Sequence, residues 1–206
     1  MMSLGKITMA LGVIWLLCTA STKSNRLFVF IGEKIDVHEI ELKAKPGQIL
    51  MDGAFLAKYR VIEKVYGDYS KDTISFQAFD HYGFPPFAKF RYVLLYVLEY
   101  EGKLYHEKYQ YSPVFKAKNG RWAGPYAQQD YNHPFAGSIK IKPEKIDFGL
   151  DAVFTLERQD TAYINRAFPK PYYRFEENKA IPIIGNYVPE LFELKKQGVL
   201  KARGLF

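Results

Sequence analysis

Cysteine is almost missing from this chain: of 206 residues, only Cys18 is one. A disulfide framework is therefore excluded, and stability has to come from a buried core. A chain of this length can supply one, since folding removes roughly 70% of the unfolded surface from water. Asn-x-Ser/Thr glycan acceptors are also missing, as is any run of five or six like charges. The formal net charge is nevertheless +7, spread along the sequence. Such a balance favours anionic partners at long range without specifying one. No Gly-x-Ser-x-Gly elbow presents a nucleophile. The four histidines, His38, His81, His106 and His133, never stand three or four residues apart, so no metal ligand set and no cofactor is expected. The acidic pairs Glu99 with Glu101 and Glu176 with Glu177 carry no glycosidase signal, because carboxylate roles depend on separation in space.

What is present begins with an address. Lys6 precedes the apolar run Ile7 to Leu17, and Cys18-Thr19-Ala20 follows as a small-residue exit. That layout predicts a secretory signal peptide over 1–20, the run being too short to span a bilayer. Cleavage after Ala20 starts the mature chain at Ser21; the alternative is a lipid anchor through Cys18, although Leu17 stands where such a site usually has Gly, Ala or Ser. The expected location is periplasmic or secreted, with no transmembrane segment in the mature chain. Nucleic acid is not an expected partner there. Anionic lipid head groups, acidic glycans and acidic proteins are, and the oligomeric state stays open.

Aromatics are abundant, 16 Tyr and 16 Phe, and many sit in alternating runs that mark half-buried strands. Arg26 to Leu42 reads as a long first strand with a bulge at Gly32. The second runs from Ala54 to Tyr66, with Phe55, Ala57, Tyr59, Val61 and Val65 inward and Lys58, Arg60 and Lys64 outward. The third, Thr73 to Asp80, turns Ile74, Phe76 and Ala78 inward and Gln77 and Phe79 outward. Tyr92 to Tyr100 is apolar on both faces and so needs cover beyond a barrel interior. Leu104 to Tyr111 returns as its hairpin partner, with Tyr105, Tyr109 and Tyr111 on one face and His106, Lys108 and Gln110 on the other. A short strand over Val114 to Lys118 and an Asn119-Gly120 turn end the regular region at Trp122.

The remainder, 123–206, holds seven of the eleven prolines. Ser138 to Lys142 and Ala152 to Arg158 read as two further strands, with looped chain around Pro169, Pro171 and Pro182. A helix then starts near Pro189, buries Leu191, Phe192 and Leu194, and stops at Gly198 in a Schellman ending closed by Leu194 and Val199. The expected organisation is a mainly β protein: a barrel over 21–122 and a proline-rich C-terminal extension over 123–206. That extension ends in a short α-helix and covers the doubly apolar strand.

Five or six strands with a long curved first one point to an OB-type barrel. Phe55-x-Ala57-x-Tyr59-x-Val61, Gly67, Asp72-Thr73-Ile74-x-Phe76, Gly83, Val93-Leu94-Leu95-Tyr96-Val97 and Gly102-Lys103 together resemble the netrin-like module of the tissue inhibitors of metalloproteinases. The resemblance covers about residues 26–122 and implies the fold. It does not imply inhibition, because the family's disulfides and zinc-chelating N-terminal Cys have no counterpart here. The phrase Asp80-His81-Tyr82-Gly83-Phe84-Pro85 is also similar to uncharacterised bacterial exported proteins, which implies compartment and no activity.

In OB-type barrels the outer face of strands two and three commonly holds ligand. Here it presents Lys58, Arg60, Gln77 and Phe79, with Tyr82 in the adjoining loop. Cations beside aromatics and an amide can grip a sugar, a carboxylate or a phosphate. The expected function is thus an exported, non-enzymatic binding protein for a protein or anionic envelope component. One alternative is an envelope hydrolase using Asp80 and His81, although neighbours on a strand point to opposite faces. Another is an inhibitor-like or assembly module using an edge strand.

Overall fold

The computed structural model describes residues 25–42, 47, 50–132, 135–156 and 160–206. The expected leader with Cys18 and the candidate histidine His133 lie outside the described residues. The protein is mainly β, with a closed five-stranded barrel and a short C-terminal helix. The barrel strands are β1 (Arg26–Ile40), β2 (Gly53–Tyr66), β3 (Thr73–Asp80), β4 (Tyr92–Tyr100) and β5 (Lys103–Pro113). Their spatial order is β1-β2-β3-β5-β4, closing back on β1. Neighbours are antiparallel except β3 and β5, which meet in parallel at Gln77 and Tyr105. This order is compatible with an OB-like barrel.

Alternation builds the interior. Phe28 and Phe30, then Phe55, Ala57 and Tyr59, then Ile74, Phe76 and Ala78, and Val93, Leu95 and Val97 form one buried cluster. A 3-10 turn at Pro86–Lys89 adds Phe87 and Ala88 to it. The bulge expected at Gly32 is present, because the β1–β2 register shifts between Ile31 and Gly32. A Cβ there would stand 2.9 Å from the Tyr59 ring, so only glycine lets β1 curve this closely over the core.

One regularity breaks on β5. Leu95 faces Tyr111 and Val97 faces His106, which leaves Glu107, Lys108, Tyr109 and Gln110 all opposite Tyr96. Tyr109 takes a left-handed φ of 66° inside this bulge. The three tyrosines therefore do not share a face. Tyr105 stays outside, Tyr109 is exposed, and Tyr111 packs against the barrel core. Beyond the bulge the parity of β5 is inverted.

The strand apolar on both faces has its cover. Leu94 and Tyr96 of β4 join Leu27, Val29 and Ile31 of β1, Val114, and Val188, Leu191, Phe192 and Leu200 from the C-terminal region in a second core. β1 is thus also buried on both faces over Leu27–Ile31, as the unbroken run Leu-Phe-Val-Phe-Ile requires.

The rest of the chain is more regular than its prolines indicate. β6 (Phe115–Lys116) and β7 (Trp122–Pro125) form a hairpin, so Trp122 opens a strand rather than ending the regular region. A four-residue α1 (Gln128–Tyr131) follows. Ser138–Lys142 is not a strand. It begins in a 3-10 turn in which the Ser138 hydroxyl donates to the Phe135 carbonyl (2.8 Å), a local bond that competes with a sheet ladder. β8 is Glu144–Lys145, and of the strand expected over Ala152–Arg158, whose last two residues lie outside the described residues, Phe154–Thr155 forms β9. α2 (Thr161–Ala167) is capped by Asp160, whose carboxylate accepts from the Ala162 amide. β10 (Tyr173–Glu176) and β11 (Lys179–Pro182) pair as a hairpin against β9, and β12 (Ile184–Tyr187) lies between β7 and β8.

α3 spans Val188–Lys195 with Pro189 in its first turn. It does not stop at Gly198. A π-type turn over Lys196–Leu200 carries the chain through a kink there, with Gly198 at φ −99° and ψ −107°. The left-handed stop is Gly204, at φ 72°. Its amide donates to the Lys201 carbonyl and that of Leu205 to Leu200, and Leu205 packs on the second core. Those are the bonds and the apolar contact of a Schellman ending, six residues later than expected. Gly204→Ala should therefore lower the free energy of unfolding by about 1 kcal/mol, the cost of a Cβ in the left-handed region. The urea midpoint measures it.

α3 also buries a charge. Lys195 Nζ lies 2.6 Å from Asp130 Oδ1 of α1, both side chains about 5% exposed or less. Gln110 Oε1 of the β5 bulge stands 3.4 Å from the same ammonium.

Candidate functional site

The outer face of β2, β3 and β5 is built by parity. In β2 the side chains opposite to Ala57 and Tyr59 are Leu56, Lys58 and Arg60, and both cations are exposed. β3 places Ser75, Gln77 and Phe79 on the same side. The register sets Lys58 across from Ser75 and Leu56 across from Gln77. On the other flank the parallel contact brings Tyr105 beside Gln77, and its ring stacks with Phe79 at 6.3 Å and 27°. The centre of the face is therefore an aromatic pair next to a side-chain amide, with the Lys58 ammonium at its margin.

Not all of the expected residues join this centre. Arg60 points out of the barrel but its guanidinium donates to Glu33 Oε2 of β1 at 2.9 Å. Glu33 also accepts from Arg91 at 2.8 Å and from the Tyr92 hydroxyl. The hydrogen bond from Arg91, helped by the charge of Arg60, holds the Glu33 carboxyl below its usual range. Arg60 is thus drawn into a surface ion network, whereas Lys58 has no ion-pair partner among the described residues.

Tyr82 stands beyond the end of β3 and is 86% exposed. Its ring lies 5.3 Å from that of His81 and 6.2 Å from that of Tyr109 in the β5 bulge. The bulge also brings Lys108 onto Asp52 Oδ2 at 2.5 Å, a bond that raises the Lys108 pKa. The face continues at this end as a tyrosine-rich rim.

Asp80 and His81 point apart. Asp80 is 5% exposed, and its Oδ1 accepts from the Tyr82 amide at 2.8 Å, closing the loop. His81 Nδ1 lies 2.8 Å from the Met51 carbonyl and 3.6 Å from Asp52 Oδ1. With Nδ1 donating to that carbonyl, Nε2 is the open nitrogen. The carboxylate beside the imidazole is Asp52, from the β1–β2 connection, and not its chain neighbour.

Sequence reasoning passed over Tyr105, Tyr109, Asp52 and Lys108. Tyr105 was reachable: an OB-type order sets β3 against β5, and Tyr105 has outward parity. Tyr109 and Lys108 depend on the bulge, which no glycine announces, and Asp52 on how the β1–β2 connection folds over His81. Among the described residues no group of three or more His, Cys, Asp or Glu side chains could hold a metal ion. No described helix is long and apolar enough to cross a membrane. No protein-family model matches the chain, and no curated protein or solved structure matches it either.

Proposed function

We propose that the protein is an exported binding module, of the netrin-like barrel type, that captures a protein or an anionic envelope component on the outer face of β2, β3 and β5. The observation that carries this reading is the Phe79–Tyr105 stack beside Gln77, with the exposed Lys58 ammonium, in no ion pair among the described residues, at its edge. Half-exposed aromatic pairs offer a large contact area at little entropic cost, and a cation without a carboxylate keeps its charge for a ligand. The apolar run Ile7 to Leu17 after Lys6 supports export. The netrin-like likeness supplies the frame and none of the inhibitory chemistry.

Capture of the native ligand from an envelope extract tests this. The double variant Lys58→Glu/Phe79→Ala should recover about tenfold less ligand than wild type, the usual cost of removing a central anchor. Arg60→Glu should do less, since that guanidinium is committed to Glu33. Equal recovery by wild type and the double variant would remove this face from consideration.

A further inference from the structure

A second place in the molecule has the makings of a ligand site and shares no residue with the barrel face. Where the β6–β7 hairpin meets the start of α3, a groove of about 280 Å³ is lined by Glu63, Lys116, Arg121, Trp122, Val188 and Pro189. Two of these are cations that the fold attaches to rings rather than to carboxylates. Lys116 Nζ lies 5.2 Å over the Trp122 ring, and the Arg121 guanidinium stacks 3.5 Å from the centre of the Tyr187 ring. Both are exposed, and among the described residues neither is in an ion pair. Arg121 is held flat by Tyr187 while its edge keeps its donors. Trp122 is fixed from behind by Tyr92, with ring centroids 4.9 Å apart.

We propose that this groove binds a sugar acid, one pyranose ring bearing a carboxylate. Trp122, with Val188 and Pro189, offers a wall for the apolar C–H face of the ring. Arg121 and Lys116 supply charge-assisted donors for the carboxylate. Glu63 supplies acceptors for the ring hydroxyls, a role a simple anion site has no use for. Lys116 leaves Trp122 when ligand enters. An exposed cation–π contact is weak, and a hydrogen bond to a carboxylate replaces it. The size, just below the range of about 300–1,000 Å³ for small-ligand pockets, suits a single ring. A bare phosphate dianion fits the chemistry less well, because it ignores the Trp122 wall and brings Glu63 no ring hydroxyl to accept from. The positive balance of the chain favours approach of the anion.

Trp122 is the reporter, and Trp15→Phe in every protein titrated leaves it the single tryptophan. The full chain is titrated with sodium glucuronate, with glucose and with sodium acetate while tryptophan fluorescence is followed. Glucuronate should give a saturable change, and glucose and acetate should each bind at least about tenfold more weakly. Lys116→Gln and Arg121→Gln should each weaken glucuronate about tenfold. Should Arg121→Gln unfold through loss of its stack on Tyr187, Lys116→Gln decides alone, because its ammonium is exposed. No saturable response to glucuronate, equal affinity for acetate or for glucose, or undiminished binding by Lys116→Gln would each overturn the assignment.

Discussion

Asp130→Asn lowers the free energy of unfolding by about 3–5 kcal/mol, the range for breaking a buried pair from one side. The arithmetic is that of an orphaned charge. Lys195 Nζ and Asp130 Oδ1 are 2.6 Å apart with almost no solvent at either side chain. The Gln110 side-chain carbonyl stands 3.4 Å from the ammonium, too far to replace a carboxylate. The double variant Asp130→Leu/Lys195→Met should recover most of the loss, because an ion pair taken out of water barely repays its desolvation. Urea unfolding with an unchanged slope measures both. A loss below about 1 kcal/mol in Asp130→Asn, the ordinary worth of a surface pair, would show that water reaches this contact.

Acidification should remove about 3 kcal/mol of stability through one imidazole. His106 is buried against Phe76 and Phe87, with Nε2 donating to the Gln110 carbonyl at 2.9 Å. Burial pushes its pKa down from 6.5 to about 4, against the opposing effect of that carbonyl. Between those two values the unfolded chain holds a proton that the folded chain refuses. Stability is therefore complete above pH 6.5 and falls as the pH drops toward 4. Two to three pH units at 1.36 kcal/mol each give the size of the loss, about 3 kcal/mol. His106→Phe starts from a lower stability, since the Gln110 carbonyl loses its donor, but lacks this slope. The difference between wild type and variant, taken from unfolding at pH 7 and again near pH 4, cancels the carboxylates common to both. Equal losses on acidification would mean that His106 titrates freely.

Much of the barrel was legible because parity is a local property. β2, β3 and β4 begin and end within a residue or so of where alternation places them, and the outward set Lys58, Arg60, Gln77 and Phe79 follows from counting by twos. The doubly apolar character of β4 likewise forecast its cover. What was not legible depends on pairing across long separations. The inverted parity of Tyr111 comes from a bulge whose left-handed residue is a tyrosine. Gly198 and Gly204 are both plausible stops by composition, and only the packing of Leu200 and Leu205 selects the second. Lys195 looks like an ordinary polar helix position, because its partner is 65 residues earlier in an unremarked four-residue helix. The candidate face shows the same division. Its β2 and β3 residues were readable, whereas the diversion of Arg60 to Glu33 follows from the β1–β2 register.

The double burial of β4 also has a consequence in time. Leu94 and Tyr96 leave the ribosome long before Leu191 and Phe192, which shield them. Until that late segment arrives, one side of the nascent wall is open and greasy, and cooperative closure has to wait. The growing polypeptide carries that bare side, between β4 and the segment that will cover it, through most of its own synthesis.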